Sequence, residues 1–271
     1  MLTIGTSGFS FPDWVGPFYP PGTTRNAMFS YYTRHFSMVE LDYTYYRMPN
    51  EKTMASLGSR APKDFQFCVK AYREMTHELP SDSETRAALF SDFSRALRPL
   101  ADTGRLGCIL VQFPWSFRKK AANCSYLEYV RERLPQAPVV IEFRNSEWAD
   151  AETIALLDRL NLSFCCVDEP RLKGLFPPTA AVAGEIGYVR FHGRNAAKWW
   201  KQDFPGERYD YLYSTAELQE WVPKIKQISA GSRNTFILFN NCHAGKAVRN
   251  AHMMAEILGL STGTEVQGGL F

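Results

Sequence analysis

Residues 188–194 read YVRFHGR. Taken as a strand, this stretch sets Tyr188, Arg190 and His192 on one face and Val189 and Phe191 on the other, because successive strand side chains alternate. The apolar face belongs against a core. The other face carries a guanidinium and an imidazole into what should also be core if the sheet is covered on both sides. The sequence therefore asks for a fold in which one end of a buried strand opens onto polar surroundings.

Seven further runs resemble it. They span residues 2–6 (LTIGT), 38–42 (MVELD), 65–70 (FQFCVK), 107–113 (GCILVQF), 139–144 (VVIEFR), 162–168 (LSFCCVD) and 235–240 (TFILFN), with 187–192 as the seventh in chain order. Most are continuously apolar, as parallel strands covered by helices are. Helix signals lie between them. Ser81 with Glu84 and Ser214 with Glu217 have capping-box spacing, and Asn50 and Asp150 stand where N-caps belong. After 162–168 the segment RLKGLFPPTAAV, with its Gly and paired Pro, predicts at most a short or irregular helix. Eight strand–helix repeats over about 250 residues predict a single α/β domain, a (β/α)8 barrel of the TIM type. The alternative, an open doubly wound sheet, lacks the G-x-G-x-x-G turn after its first strand. The expected barrel covers residues 1–260, with long loops after the first and seventh strands, and residues 261–271 are expected to form a flexible tail.

The apolar runs end in polar residues at their carboxyl ends: Glu40 and Asp42, Lys70, Gln112, Glu142 and Arg144, Asp168, Arg190 and His192, Asn240 and Asn241. Barrel enzymes build their active sites there. Arg190 and His192 are thus expected to rise from the floor into a shared polar mouth. The competing reading of Arg190 is a scaffold role, paired with Glu142 or Glu40 inside the barrel.

The motifs IGTSGFSFPDWVGPFYP, VELDYTYYRMP, FCVKAYREMTH, LVQFPWSF, VIEFRNSEW, YVRFHGR and NNCHAGKAVRNA occur in this order. Together they resemble the YecE-like family, domain of unknown function 72, from the first strand to the last helix. The resemblance implies a TIM-type barrel and carries no reaction with it. The family usually has Glu-x-Asn after its second strand, whereas Asp42 stands at the third position here.

Composition narrows the class. With 45% apolar side chains, 271 residues suffice for a full core. The net charge of +3 is spread along the chain, so it permits an anionic partner without requiring one. Six cysteines without a C-x-x-C pair read mostly as small buried hydrophobes. The opening MLTIGTSG runs directly into a strand, and no run of about 18 apolar residues follows. The expectation is a soluble cytoplasmic protein.

Several cations, Lys70, Arg73, Arg144, Arg190 and Arg194, are drawn to one mouth with His77, His192 and His243. Such convergence is repulsive unless carboxylates or an anionic ligand offset it. An anion held by Lys70, Arg144, Arg190 and Arg194, with Gln112, His77, Asn240, Asn241 and Trp199 around it, is the expected arrangement. The loop NNCHAG, leading into a helix, offers N–H groups to an oxyanion. His192, with Glu40, Glu142 and Asp168, is the expected acid–base set. Glu142, Asp168 and His192 also form a candidate set for a divalent metal, resembling the barrels of the endonuclease IV and xylose isomerase kind. Against this, the eighth strand ends in Asn240 and Asn241, and no H-x-H or H-E-x-x-H spacing occurs. Sugar hydrolysis by paired carboxylates is disfavoured, since Gln112 and the Arg190/His192 pair occupy the fourth and seventh strand ends.

Two loops, 7–22 and 194–213, interleave aromatic residues with polar and basic ones. Aromatic faces mixed with cations suit bases and phosphates, although the same residues serve equally to pack loops on a rim. Gln267, Leu270 and Phe271 resemble the short peptide by which bacterial DNA-metabolism proteins hold the sliding clamp. The leading expectation is an enzyme acting on a phosphorylated or nucleic-acid-like anionic substrate, of phosphoester hydrolase type. The alternatives are a non-catalytic binding module for nucleic acid or the clamp, and an enzyme of small sugar phosphates or carboxylates.

Overall fold

The computed structural model describes residues 1–135 and 137–260. Gln267, Leu270 and Phe271 lie outside the described residues. Eight parallel strands run β1 (Leu2–Thr6), β2 (Met38–Leu41), β3 (Gln66–Lys70), β4 (Leu106–Gln112), β5 (Val139–Glu142), β6 (Ser163–Asp168), β7 (Ile186–Phe191) and β8 (Asn234–Phe239). They pair in the order β1-β8-β7-β6-β5-β4-β3-β2. The ends of this sheet meet at a parallel bridge between Ser7 and Glu40, with Gly8 N–H donating to the Glu40 carbonyl at 2.8 Å. The sheet thereby curls into the expected barrel. Gly5 permits the approach, because a Cβ there would lie 2.7 Å from the Met38 carbonyl oxygen of β2.

The helices are α1 (Arg25–Tyr32), α2 (Glu51–Arg60), α3 (Ser83–Ala101), α4 (Ala121–Arg133), α5 (Ala151–Arg159), α6 (Thr215–Gln219), α7 (Val222–Ala230) and α8 (Lys246–Leu258). Asn50 and Asp150 cap α2 and α5, and Ser214 with Glu217 makes a full capping box on α6. One expected cap moves by a residue: Asp82, not Ser81, accepts the Thr85 N–H at the start of α3. Between β6 and β7 the described chain forms no helix, so this crossover is made by the Gly- and Pro-containing segment alone. The long loops after β1 and β7 are residues 7–24 and 192–214.

Inside the barrel, strand parity sorts the side chains. Lateral partners share a face, so Cys165 with Tyr188 and Val167 with Arg190 point inward, while Asp168 with Phe191 points out to the helices. The lower interior is filled by residues such as Cys68, Cys108, Cys165, Tyr188 and Phe236, all buried. Polar side chains take over one layer higher, at the carboxyl ends. No described helix is long and apolar enough to cross a membrane.

Candidate functional site

The floor of the mouth is a run of alternating charges. Lys70 Nζ donates to Asp42 Oδ1 at 2.8 Å, and Arg190 lies 3.9 Å from that same oxygen. Arg190 also donates to Glu40 Oε1 at 2.6 Å and to Glu142 Oε2 at 2.7 Å. Arg144 Nε lies 2.6 Å from Glu142 Oε1, and its Nη1 donates to Glu169 Oε2 at 2.9 Å. Tyr188 donates its hydroxyl to Glu40 Oε2 at 2.7 Å. Each carboxylate thus faces at least one cation, as burial of charge demands. Burial alone would raise the Glu142 and Asp42 carboxyls. The neighbouring cations outweigh it and hold both below their usual range, Glu142 by Arg190 and Arg144, Asp42 by Lys70 and Arg190.

His192 is fully buried beneath the mouth. Its Nε2 is 3.0 Å from Glu142 Oε1 and its Nδ1 is 3.0 Å from Asn240 Nδ2. Desolvation, and then the Arg144 charge, lower its pKa to about 3, so the ring is neutral. The donor–acceptor pattern fits one tautomer: Nε2–H donates to Glu142, and Nδ1 accepts from the Asn240 amide. His192 therefore orients Asn240.

Above this floor opens a cavity of about 790 Å³. Lys70, His77, Gln112, Arg144 and Asn240 line it, joined by Asp42, Asp13 and Arg208, with Tyr45, Trp199 and Tyr209 on its walls. Two imidazoles reach it, His77 and His243. Burial, then Lys70 and Arg144, hold the His77 pKa down at about 4, and its Nδ1 lies 2.8 Å from the Thr76 hydroxyl. Lys70 sits 4.7 Å from the Tyr45 ring centre, while Arg144 and Arg208 flank the Trp199 ring at 6.0 and 5.8 Å. Burial works against the Lys70 ammonium, but Asp42 outweighs it and keeps the amine charged.

Five of the expected site residues, Lys70, His77, Gln112, Arg144 and Asn240, are brought to the cavity wall, and Trp199, although buried, contributes part of it. Glu40, Glu142, Arg190 and His192 form the layer beneath rather than the mouth itself, because tight pairing with one another closes them off. Arg190 thus has the scaffold geometry, bridging Glu40 and Glu142 together.

Asp168, Arg194 and Asn241 go elsewhere. Asp168 points to the helix side, where it accepts from Arg194, from the Tyr213 hydroxyl at 2.7 Å and from Trp221 Nε1 at 2.6 Å. Arg194 leaves the inward alternation because Gly193, at φ +90°, turns the chain, and it pairs with Asp168 and Glu220. Asn241 donates to the Tyr211 carbonyl and to Asn250. Asp168 consequently does not join Glu142 and His192, and among the described residues no three His, Cys, Asp or Glu side chains are grouped to hold a metal ion. In the NNCHAG loop two N–H groups are already taken: that of Ala244 donates to Asp13 Oδ2 at 2.6 Å and that of Asn240 to the Phe191 carbonyl at 2.8 Å. A carboxylate of the first loop fills the place assigned to an oxyanion.

Glu169 is the residue the sequence reading missed. Burial, and then Glu142, raise its pKa to about 7 despite the Arg144 partner. The signal was parity: Cys165, Val167 and Glu169 alternate inward while Cys166 and Asp168 point out.

Comparison with known proteins agrees with this architecture. The model of the family described as "Protein of unknown function DUF72" matches residues 3–268. The chain belongs to the DUF72 family. This DUF72 barrel is 32% identical over 272 residues to the UPF0759 protein YunF of Bacillus subtilis (strain 168), with 95% of each chain covered. Among solved structures, a DUF72 family protein (TM1631) from Thermotoga maritima MSB8 superposes with a TM-score of 0.88 at 37% identity, covering 96% of this chain and 99% of the other. A DUF72 family protein (EF0366) from Enterococcus faecalis V583 gives 0.84 at 26% identity, covering 99% and 100%.

Proposed function

We propose that this DUF72 barrel is an enzyme acting on a phosphorylated, nucleotide-like substrate held in the mouth. One observation carries the reading. The carboxylates that neutralise Arg144 and Arg190 lie under the floor, whereas Lys70, Arg144 and Arg208 reach the cavity wall against only Asp13 and Asp42. The wall therefore carries one cation in excess, and the compensating negative charge, Glu40 and Glu142 about Arg190, lies in the layer below. Trp199, Tyr45 and Tyr209 supply flat faces beside those cations, the combination that holds a base next to a phosphate.

His77 takes the acid–base role that the sequence suggested for His192. As a neutral ring it can accept a proton from an attacking water, but a pKa near 4 makes it a weak base. A bound phosphate dianion beside Lys70 and Arg144 would offset the charges that depress it. The base would then strengthen only when substrate is present. Lys70 and Arg144 would stabilise charge growing on the phosphoryl oxygens, and Asn240, held by His192, would orient the ester.

The test is calorimetric binding of nucleoside monophosphates together with phosphate release from a panel of phosphomonoesters and diesters. Lys70→Met should weaken binding about tenfold or more, and His77→Ala should bind normally while losing turnover. Equal affinity in wild type and Lys70→Met would overturn the reading. A binding module without turnover is the second reading, favoured because the hydrogen-bonded carboxylate–imidazole pair, Glu142 with His192, is shut beneath the floor. It expects wild type to bind as described with no product formed from any ester.

A further inference from the structure

Met1 apart, every exposed large apolar side chain among the described residues lies on the loops that follow the strands, on the face carrying the mouth. Five are aromatic: Tyr43, Tyr46, Trp115, Trp200 and Phe204. Trp200 is 56% exposed and Tyr46 67%. Their placement is not that of a loose loop. Trp115, in the loop after β4, anchors its indole N–H on the Gly174 carbonyl at 2.9 Å, and its ring centre stands 6.0 Å from that of Trp200, which comes from the loop after β7. Tyr46 meets Tyr45 edge-on at 4.9 Å. Tyr46, Trp115 and Trp200 also touch the cavity's outer lip, so an aromatic path leads from the mouth to solvent.

The charges around that path are unevenly matched. The loop carboxylates have partners within the molecule, such as Glu147 with Arg118, Asp150 with Lys119, Asp203 with Lys198 and Asp210 with Lys246. Asp13 accepts from Ala244, and Glu74 accepts from Tyr72. By contrast Arg47, Lys120, Lys173, Lys201 and Arg208 of the same loops make no ion pair among the described residues. Exposed aromatic faces beside unmatched cations are complementary to a chain of bases and phosphates, not to an apolar protein surface.

We propose that the mouth-bearing face binds a single nucleic-acid strand, with bases stacked on Tyr46, Trp115 and Trp200 and phosphates following the five unmatched cations. This rests on the reading of the mouth as a nucleotide-like site and extends it: the substrate is a nucleotide within a strand, its neighbours held outside the cavity. A duplex would keep its bases stacked on each other and unavailable to the rim.

The experiment uses the full chain and fluorescein-labelled single-stranded oligonucleotides of two, five and ten residues, DNA and RNA, in anisotropy titrations at several salt concentrations. Nucleoside monophosphate binding is followed in parallel by calorimetry. Affinity should rise with length and exceed that for a duplex of equal length. Log affinity should fall with log salt at a slope of about 3–4, that of five phosphate contacts. Trp115→Ala with Trp200→Ala should weaken the ten-residue strand about tenfold or more and leave the monophosphate affinity within twofold. Lys70→Met should weaken both. A wild type that binds the strand but no monophosphate would sink the mouth reading, and a monophosphate that binds without any gain from strand length would overturn the strand inference. So would strand binding that the double tryptophan variant leaves intact, binding matched by heparin at equal charge, or a wild-type dimer that the same variant converts to monomer.

Discussion

Glu142 and Asp168 end adjacent strands, and the barrel sends them to opposite sides of the sheet. Glu142 points inward and joins Arg190, Arg144 and His192 under the mouth, where the network reaches the cavity through Arg144 and Asn240. Asp168 points outward and is closed in by Arg194, Tyr213 and Trp221 between the barrel and α7. Both are buried carboxylates paired with arginine. Only the first is connected to space that a ligand can enter, so pairing and burial by themselves do not distinguish a site from a brace.

Breaking the inner network should give the largest effect. Arg190→Met leaves Glu40 and Glu142 buried without their shared cation, and removal of one partner from a buried pair costs about 3–5 kcal/mol. Urea unfolding of the purified variant measures it. A loss under about 1 kcal/mol would mean that the carboxylates take up protons or find Lys70 and Arg144 at little cost, and that Arg190 is not the keystone of the floor.

The outer network should give a smaller loss and no functional one. Asp168→Ala strands the Tyr213 hydroxyl and the Trp221 indole N–H, two buried donors, at about 2–4 kcal/mol in total. Affinity for a nucleoside monophosphate should stay within twofold of wild type by calorimetry. A variant that is stable but no longer binds would erase the distinction between the two carboxylates and return Asp168 to the site.

The barrel was legible because its strands are short and continuously apolar, and because their polar ends coincide with the mouth. LTIGT falls where expected, the run from Val139 begins as expected but ends two residues early at Glu142, and the other strands are shifted by a residue at one or both ends. The site was less legible, for two physical reasons. Proximity to a strand end does not specify a face, so Asp168 was drawn into the mouth and Glu169 overlooked, although alternation from Cys165 separates them. Charges also compensate through contacts between strands distant in sequence: Arg190 meets Glu40 across 150 residues. Which cations remain uncompensated at the cavity, Arg208 rather than Arg194, depends on the turn at Gly193 and on loop packing that no local pattern encodes.

The finest test of the comparison uses protons. His77 and His252 have folded-state pKa values near 4 and His192 near 3, all below the ordinary imidazole value of 6.5. As pH falls below 6.5 the unfolded chain takes up protons that the folded one refuses, so these rings remove stability on acidification until the folded values are reached. Glu169 works the other way. Its folded value of about 7 exceeds the ordinary 4.5, so between these limits the folded state holds a proton that the unfolded state lacks. It adds stability on acidification and loses it as pH rises through 7. Between pH 6.5 and 5 the imidazoles outnumber it, and wild type should become less stable as the solution is acidified. Glu169→Gln removes the opposing group, so its stability should fall more steeply over this window, by about one proton or about 1.4 kcal/mol per pH unit. Urea unfolding at half-unit intervals resolves a change of that size. Parallel profiles for the two proteins would show that Glu169 stays ionised beside Arg144 in the folded state, and that the inner network holds a permanent charge where a titratable carboxyl is expected.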